Sequence, residues 1–171
     1  LSTQFGDLTR TQEWNCTSEG LVALQFGGAP AAMLDAQGMQ LNLTVNNVSG
    51  ITFPNAINAG DQWQHNLDLQ GNMTVLGQEG TATGNAQNSF TAAGEESVTV
   101  PAGTFNAMKV QVDTTLNMNV SYQDLSVLVV FSGSYTYWFV QGVGWIKASG
   151  TGEVAGISFN ETIELQSYSI P

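Results

Sequence analysis

Apolar side chains recur at every second residue through most of this chain, and that regularity restricts what it can fold into. Met39, Leu41, Leu43 and Val45 alternate with Gln40, Asn42, Thr44 and Asn46. Trp63, Leu67, Leu69, Met73 and Val75 are interleaved with Gln62, Gln64, Asn66, Asp68, Gln70, Asn72 and Thr74. Met108, Val110, Val112, Leu116, Met118 and Val120 alternate with Lys109, Gln111, Asp113, Thr115, Asn117 and Asn119. Ile157, Phe159, Ile163 and Leu165 do the same with Ser158, Asn160, Thr162 and Glu164. Successive side chains of a strand point to opposite faces, so each segment carries one apolar and one polar face. Antiparallel sheets with one wet face are built this way. The best helical candidate is short, at residues 29–36.

The strands are long, and clusters of Gly, Asn and Pro separate them: Gly27-Gly28, Asn58-Ala59-Gly60, Pro101-Ala102-Gly103 and Gly142-Val143-Gly144. No linker or internal repeat interrupts the pattern. The expectation is one all-β domain over residues 1–171: a single antiparallel, strongly curved sheet, a half-barrel or barrel, with little helix. A flat two-sheet sandwich is the main alternative.

Charged residues make up only 10% of the 171 residues, and the net charge is −11. A surface wetted by Asn, Gln, Ser and Thr instead of Lys and Glu suggests an extracytoplasmic protein, secreted, periplasmic or at the cell surface. The chain begins at Leu1, as it would after loss of an export signal or anchor. The cations are Arg10, Lys109 and Lys147. Three cannot replace the counterions of a phosphate backbone, which argues against nucleic acid as a partner, and anionic membrane surfaces would repel the chain. The most apolar stretch, residues 125–131, is far below the roughly 20 residues of a membrane-spanning helix. Cys16 is the one cysteine, so no intrachain disulfide forms; a buried free thiol is expected.

Catalytic groups are scarce. One His and one Cys supply neither a zinc ligand set nor an evident triad, and no Gly-x-Ser-x-Gly elbow occurs. Glu95 and Glu96 are adjacent and would face opposite ways on a strand; a glycosidase pair would have to come from distant strands, for example Glu161 with Asp113. Gly142-Val143-Gly144 lacks the third glycine and the helix of a phosphate loop and reads as a turn or bulge. Asn-x-Ser/Thr triplets at Asn15, Asn42, Asn47, Asn72, Asn119 and Asn160 follow from strands that wet themselves with Asn and Thr. No enzymatic activity and no cofactor or metal is expected.

The anomalies are polar groups in phase with apolar ones. His65 is in phase with Trp63 and Leu67, Glu161 with Phe159 and Ile163, and Arg10 and Gln12 with Leu8 and Trp14. A charge turned inward needs a partner or a wet cavity. Two readings follow: a satisfied structural network, or the polar end of a ligand cavity. Phe131, Tyr135, Tyr137, Trp138, Phe139 and Trp145 form a late aromatic cluster suited to core packing or to lining a groove.

Three segments carry a resemblance: Glu96-Ser97-Val98-Thr99-Val100-Pro101-Ala102-Gly103-Thr104-Phe105, Tyr137-Trp138-Phe139-Val140-Gln141-Gly142-Val143-Gly144-Trp145-Ile146-Lys147, and Ile163-Glu164-Leu165-Gln166-Ser167-Tyr168, together with Gly60-Asp61-Gln62-Trp63. With these the chain resembles the TapB-like exported bacterial proteins and lipoproteins of unknown function. The resemblance implies a curved antiparallel sheet, distantly similar to LolA/LolB-type half-barrels, and a cell-envelope location; it supplies no catalytic residue. The leading expectation is a non-enzymatic envelope domain that binds a lipid, another apolar ligand or a partner segment on a concave apolar face, with Arg10, His65, Glu161, Trp63 and Trp138 as candidate contacts. The alternatives are a structural or adhesion-type domain with a filled core, and, last, a glycan hydrolase.

Overall fold

A computed structural model of the chain describes residues 2–5, 8–11, 13–25, 39–75, 78–154 and 156–169. Among them are twelve strands and no helix: β1 (Ser2–Phe5), β2 (Leu8–Thr11), β3 (Trp14–Cys16), β4 (Gly20–Ala23), β5 (Met39–Gly50), β6 (Phe53–Pro54), β7 (Gln62–Val75), β8 (Gln78–Val100), β9 (Gly103–Tyr122), β10 (Leu125–Val140), β11 (Gly144–Val154) and β12 (Ile157–Glu164). The helical candidate at residues 29–36 lies outside the described residues.

The all-β, antiparallel expectation holds, with a different closure and number of sheets. Seven strands form one sheet in the order β12-β11-β10-β9-β8-β7-β5, while β3-β4-β6 and β1-β2 form two small ones. The large sheet is open. Its central strands β8 and β9 run 23 and 20 residues, whereas the edge strands β5 and β12 have 12 and 8. A barrel needs its first and last strands to meet along a shared register; a sheet that tapers at both sides offers short edges with nothing to match.

The alternation produces the core directly. From Val110 to Met118, β9 buries Val110, Val112, Thr114, Leu116 and Met118 and exposes the residues between them. These meet Leu67 and Leu69 of β7, Ala82, Ala86 and Phe90 of β8, and Phe131 and Tyr135 of β10 in one apolar cluster. Tyr135 and Phe159 lie against glycines of β11: a Cβ on Gly150 would stand 2.5 Å from Tyr135 Cδ1, and one on Gly152 2.6 Å from Phe159 Cζ. Only bare backbone lets these rings lie on the sheet.

A second apolar cluster, Val98, Val100, Ala107 and Ile146 with Phe105, Trp138, Val140 and Leu165, occupies the opposite face at one end of the sheet. Two bulges account for it. The register slips between Ala92 and Gly94 where β8 meets β9, and between Trp138 and Phe139 where β10 meets β11. One extra residue turns every later side chain to the other face. Ala92 thus faces the first cluster through Val110, and Val98 faces the second through its partner Phe105. The segment after β12 crosses this second cluster, with the Ala102 N–H donating to the Leu165 carbonyl at 3.1 Å and the Tyr168 ring 5.8 Å from that of Phe105.

The expected turns form at Pro101-Ala102 and at residues 141–143, with Gly103 at φ +137° and Gly142 at φ +82°. The six Asn of the Asn-x-Ser/Thr triplets are all exposed. Cys16 corrects the buried-thiol expectation: it is exposed. It ends a three-residue edge strand of the small sheet, opposite Leu21, which is itself exposed.

Candidate functional site

His65 acts as a fastening between sheets. It is 2% exposed, and its Nε2 lies 3.0 Å from the Ala23 carbonyl of β4. The carbonyl can only accept, so Nε2 carries a proton and donates. Burial holds its pKa below the ordinary imidazole value, the Ala23 hydrogen bond pulling weakly the other way. The Ala23 N–H in turn donates to Thr52 Oγ1 at 2.9 Å, and Trp63 Nε1 donates to the Thr52 carbonyl at 3.2 Å. The Trp63 ring stacks on Phe90 with centroids 5.1 Å apart. Phe53 of β6 bridges Trp14 and Phe139, with ring centroids 5.6 and 5.2 Å apart. Together these contacts hold the β3-β4-β6 sheet on the apolar face of the large one. Replacing His65 by Leu leaves the Ala23 carbonyl buried without a donor, so stability should fall by about 1–3 kcal/mol. Hydrogen exchange should show the lost protection concentrated in residues 13–25.

Glu161 is different. On the large sheet Glu161 is opposite Gly150, which is opposite Tyr135, which is opposite Val112. The carboxylate therefore stands on the apolar face. It is half-buried and makes no hydrogen bond or ion pair among the described residues. Burial pushes its pKa up to about 7. Tyr135, 4% exposed, has a buried hydroxyl with no hydrogen-bond partner. Burial first, then the Glu161 charge, raises the Tyr135 and Tyr137 hydroxyls well above the usual phenol range. Glu161, Tyr135 and Tyr137 thus form a polar cluster on an oily surface, in which the Tyr135 hydroxyl is buried without a partner. The sequence marks Glu161 by its phase and offers Tyr135 as one ring of an aromatic cluster; that the two share a face follows only from the strand pairing through Gly150.

The candidate contacts are not brought into one place. His65 on β7 and Glu161 on β12 are five strand spacings apart in the sheet, on the order of 24 Å. Trp63 is beside His65. Trp138 is on the other face, half-buried at the rim of the second cluster. Its Nε1 donates to Glu96, and Lys109 and Lys147 lie 5.9 and 5.7 Å from its ring centroid. Lys109 is 3.7 Å from Glu96, and Lys147 pairs with Glu164 at 2.8 Å. These lysines are engaged by carboxylates and by an aromatic face. Arg10 belongs to β2, opposite Thr3; its side chain, like Gln12, lies outside the described residues.

The Glu161–Asp113 pair weighed for glycan hydrolysis does not assemble. Glu161 shares a face with Val112, so Asp113, the next residue of β9, is on the opposite side of the sheet. Asp113 instead accepts a hydrogen bond from Ser134 in an open depression of about 670 Å³ on the polar face, lined by short polar side chains of β9 to β12 such as Thr115, Ser132, Thr151 and Glu153. Among the described residues no group of three or more His, Cys, Asp or Glu could hold a metal ion, and no helix is long and apolar enough to cross a membrane.

Residues 11–169 match the model of the DUF3108-like family, and the chain belongs to that uncharacterised family. No curated protein and no solved structure matches it.

Proposed function

We propose that this member of the DUF3108-like family is a non-catalytic domain of the cell envelope that holds an apolar ligand or partner segment against the apolar face of its large sheet. The polar end of that ligand meets Glu161, beside the Tyr135 ring. One observation carries the reading: a half-buried carboxyl with no hydrogen bond or ion pair among the described residues and a buried phenol hydroxyl without a partner share one apolar face across Gly150, near enough for the carboxylate charge to raise the phenol's pKa. Native proteins rarely leave a buried hydroxyl unsatisfied, and doing so costs on the order of 1–3 kcal/mol. A ligand hydroxyl, amide or ammonium would pair with the accessible carboxyl, with Tyr135 behind it. The low charged fraction and the Asn- and Thr-wetted outer face support export. Kinship with TapB-like envelope proteins and with LolA/LolB carriers is part of this proposal.

A structural role is the second reading. Phe131, Leu116 and Met118 are fully buried, and the small sheet already covers part of the apolar face. Thermal shift against a panel of fatty acids, fatty amines, lysolipids and oligosaccharides separates the two, since a ligand selective for the native state raises the melting temperature. A shift with amphiphiles that weakens in Glu161→Gln supports the binding reading. No shift with any amphiphile leaves the structural domain.

A further inference from the structure

The first six residues of β10, residues 125–130, carry four of the six exposed large apolar side chains among the described residues: Leu125 is 68% exposed, Val127 58%, Leu128 58% and Val130 44%. Exposure alone means little for one residue, but here it coincides with an open backbone edge. On one side these residues pair with β9, from Leu125 opposite Tyr122 to Val130 opposite Asn117. On the other side pairing with β11 begins only at Phe131 opposite Val154. The stretch thus projects past the β11–β12 hairpin, and its outward N–H and C=O groups have no partner among the described residues. Both of its faces are apolar: Leu125 and Val127 share the face of Phe131, and Leu128 and Val130 the other.

Proteins usually guard such an edge with lysine, proline, a bulge or an inward charge. None is present here, since β10 contains no charged residue and no proline in a chain of net charge −11. We infer that this edge is an interface between two copies of the chain, paired antiparallel about a two-fold axis perpendicular to the sheet and centred at Val127 or Leu128. Two features select a second copy as the occupant. An antiparallel strand pair is self-complementary under a two-fold, so one patch serves both partners. The projecting tip and the notch beside it also have the same length, because residues 125–130 define both; each tip fills the notch of the other. Such a two-fold keeps each face continuous, so Val127 or Leu128 meets its own copy and the flanking Val and Leu side chains meet on both sides. Asp124 at the tip then approaches Glu153 beside the partner's notch, a like-charge contact that opposes the pairing and that salt screens.

Sedimentation equilibrium of the whole chain from about 1 to 500 μM tests this. The expected result is a monomer–dimer equilibrium that tightens from 0.1 to 0.5 M NaCl, with the dissociation constant at least tenfold higher in Val127→Lys. Position 127 is exposed, so the variant should keep the wild-type circular dichroism. A second measurement is independent of that variant: in a Cys16→Ser background, Val127→Cys or Leu128→Cys should give a disulfide-linked dimer on mild oxidation, whereas Thr83→Cys, exposed on β8 away from the edge, should not. A chain that stays monomeric throughout, or a dimer unmoved by Val127→Lys, overturns the inference. Cross-linking equally efficient at Thr83→Cys would show unspecific association and overturn it as well.

Discussion

Phe131→Ala should lower the unfolding free energy by about 3–5 kcal/mol, the range for deleting a large buried aromatic side chain. Phe131 is fully buried at the centre of the first cluster, opposite Leu116 on β9 and Val154 on β11. Its ring centroid is 6.0 Å from that of Phe159, and its Cζ would lie 3.1 Å from a Cβ on Gly133. It therefore lies against backbone on one side and side chains of β9 and β12 on the others, and the surroundings have little freedom to collapse into the space. The urea midpoint should fall while the slope stays constant, as expected when stability changes without a change in the area exposed on unfolding. Phe131→Leu should lose less than half as much. Leu128→Ala, on the same strand but exposed, should change stability by no more than about 0.5 kcal/mol. A small effect of Phe131→Ala would mean that the aromatic layer over the β11 glycines is not packed as described.

The second large effect depends on pH. Glu161 has a folded pKa of about 7 against an ordinary value of 4.5. At pH 4 the carboxyl is protonated in both the folded and the unfolded chain, and its burial adds no pH-linked penalty. As pH rises through 4.5 the unfolded chain releases the proton while the folded chain keeps it, so stability declines until the folded group also ionises near pH 7. Above that the full penalty is present. The two values convert to at most about 3 kcal/mol, reduced to on the order of 2 kcal/mol by the partial exposure of the group. Glu161→Gln should therefore be more stable than the wild type by about 2 kcal/mol at pH 8 and equal to it at pH 4, measured by urea unfolding at each pH. His65 works in the opposite sense. Its folded pKa is lowered, so stability is lost as pH falls below the unfolded value of 6.5. The two slopes oppose each other between about 4.5 and 6.5, and removing Glu161 should expose the acid loss due to His65. Equal stability of Glu161→Gln and wild type at pH 8 would remove the basis of the binding proposal.

Most of the sheet was legible because a half-buried strand writes its two faces into the sequence. The alternation from Met108 to Val120 and from Trp63 to Leu69 needed only the pleat to become a burial pattern. The second cluster was not legible from single strands. In β8 the apolar residues Phe90, Ala92, Val98 and Val100 keep the same parity, which suggests one continuous face. In β9 the parity changes between Phe105 and Ala107 on one hand and Met108 and Val110 on the other. Two paired strands can reconcile those patterns only if one contains an extra residue, and the bulge between Ala92 and Gly94 supplies it. The clue lay in the disagreement between neighbours, which becomes visible only once the pairing is known. The site was half legible for the same reason. Phase identified His65 and Glu161 as misfits, but not that one reaches a carbonyl on another sheet while the other meets an unpartnered phenol. The strand count between them also decides that they cannot grip one small molecule.

From β7 to β12, each strand of the large sheet lies beside its predecessor in the chain. Such a sheet can be laid down as successive hairpins, each closing a short loop before the next begins. Closure entropy is then met in small steps. Assembly should accordingly be faster than for a β-sandwich of equal size, whose partners are far apart along the chain. Strands could also be added or lost at either margin without rethreading what is already in place.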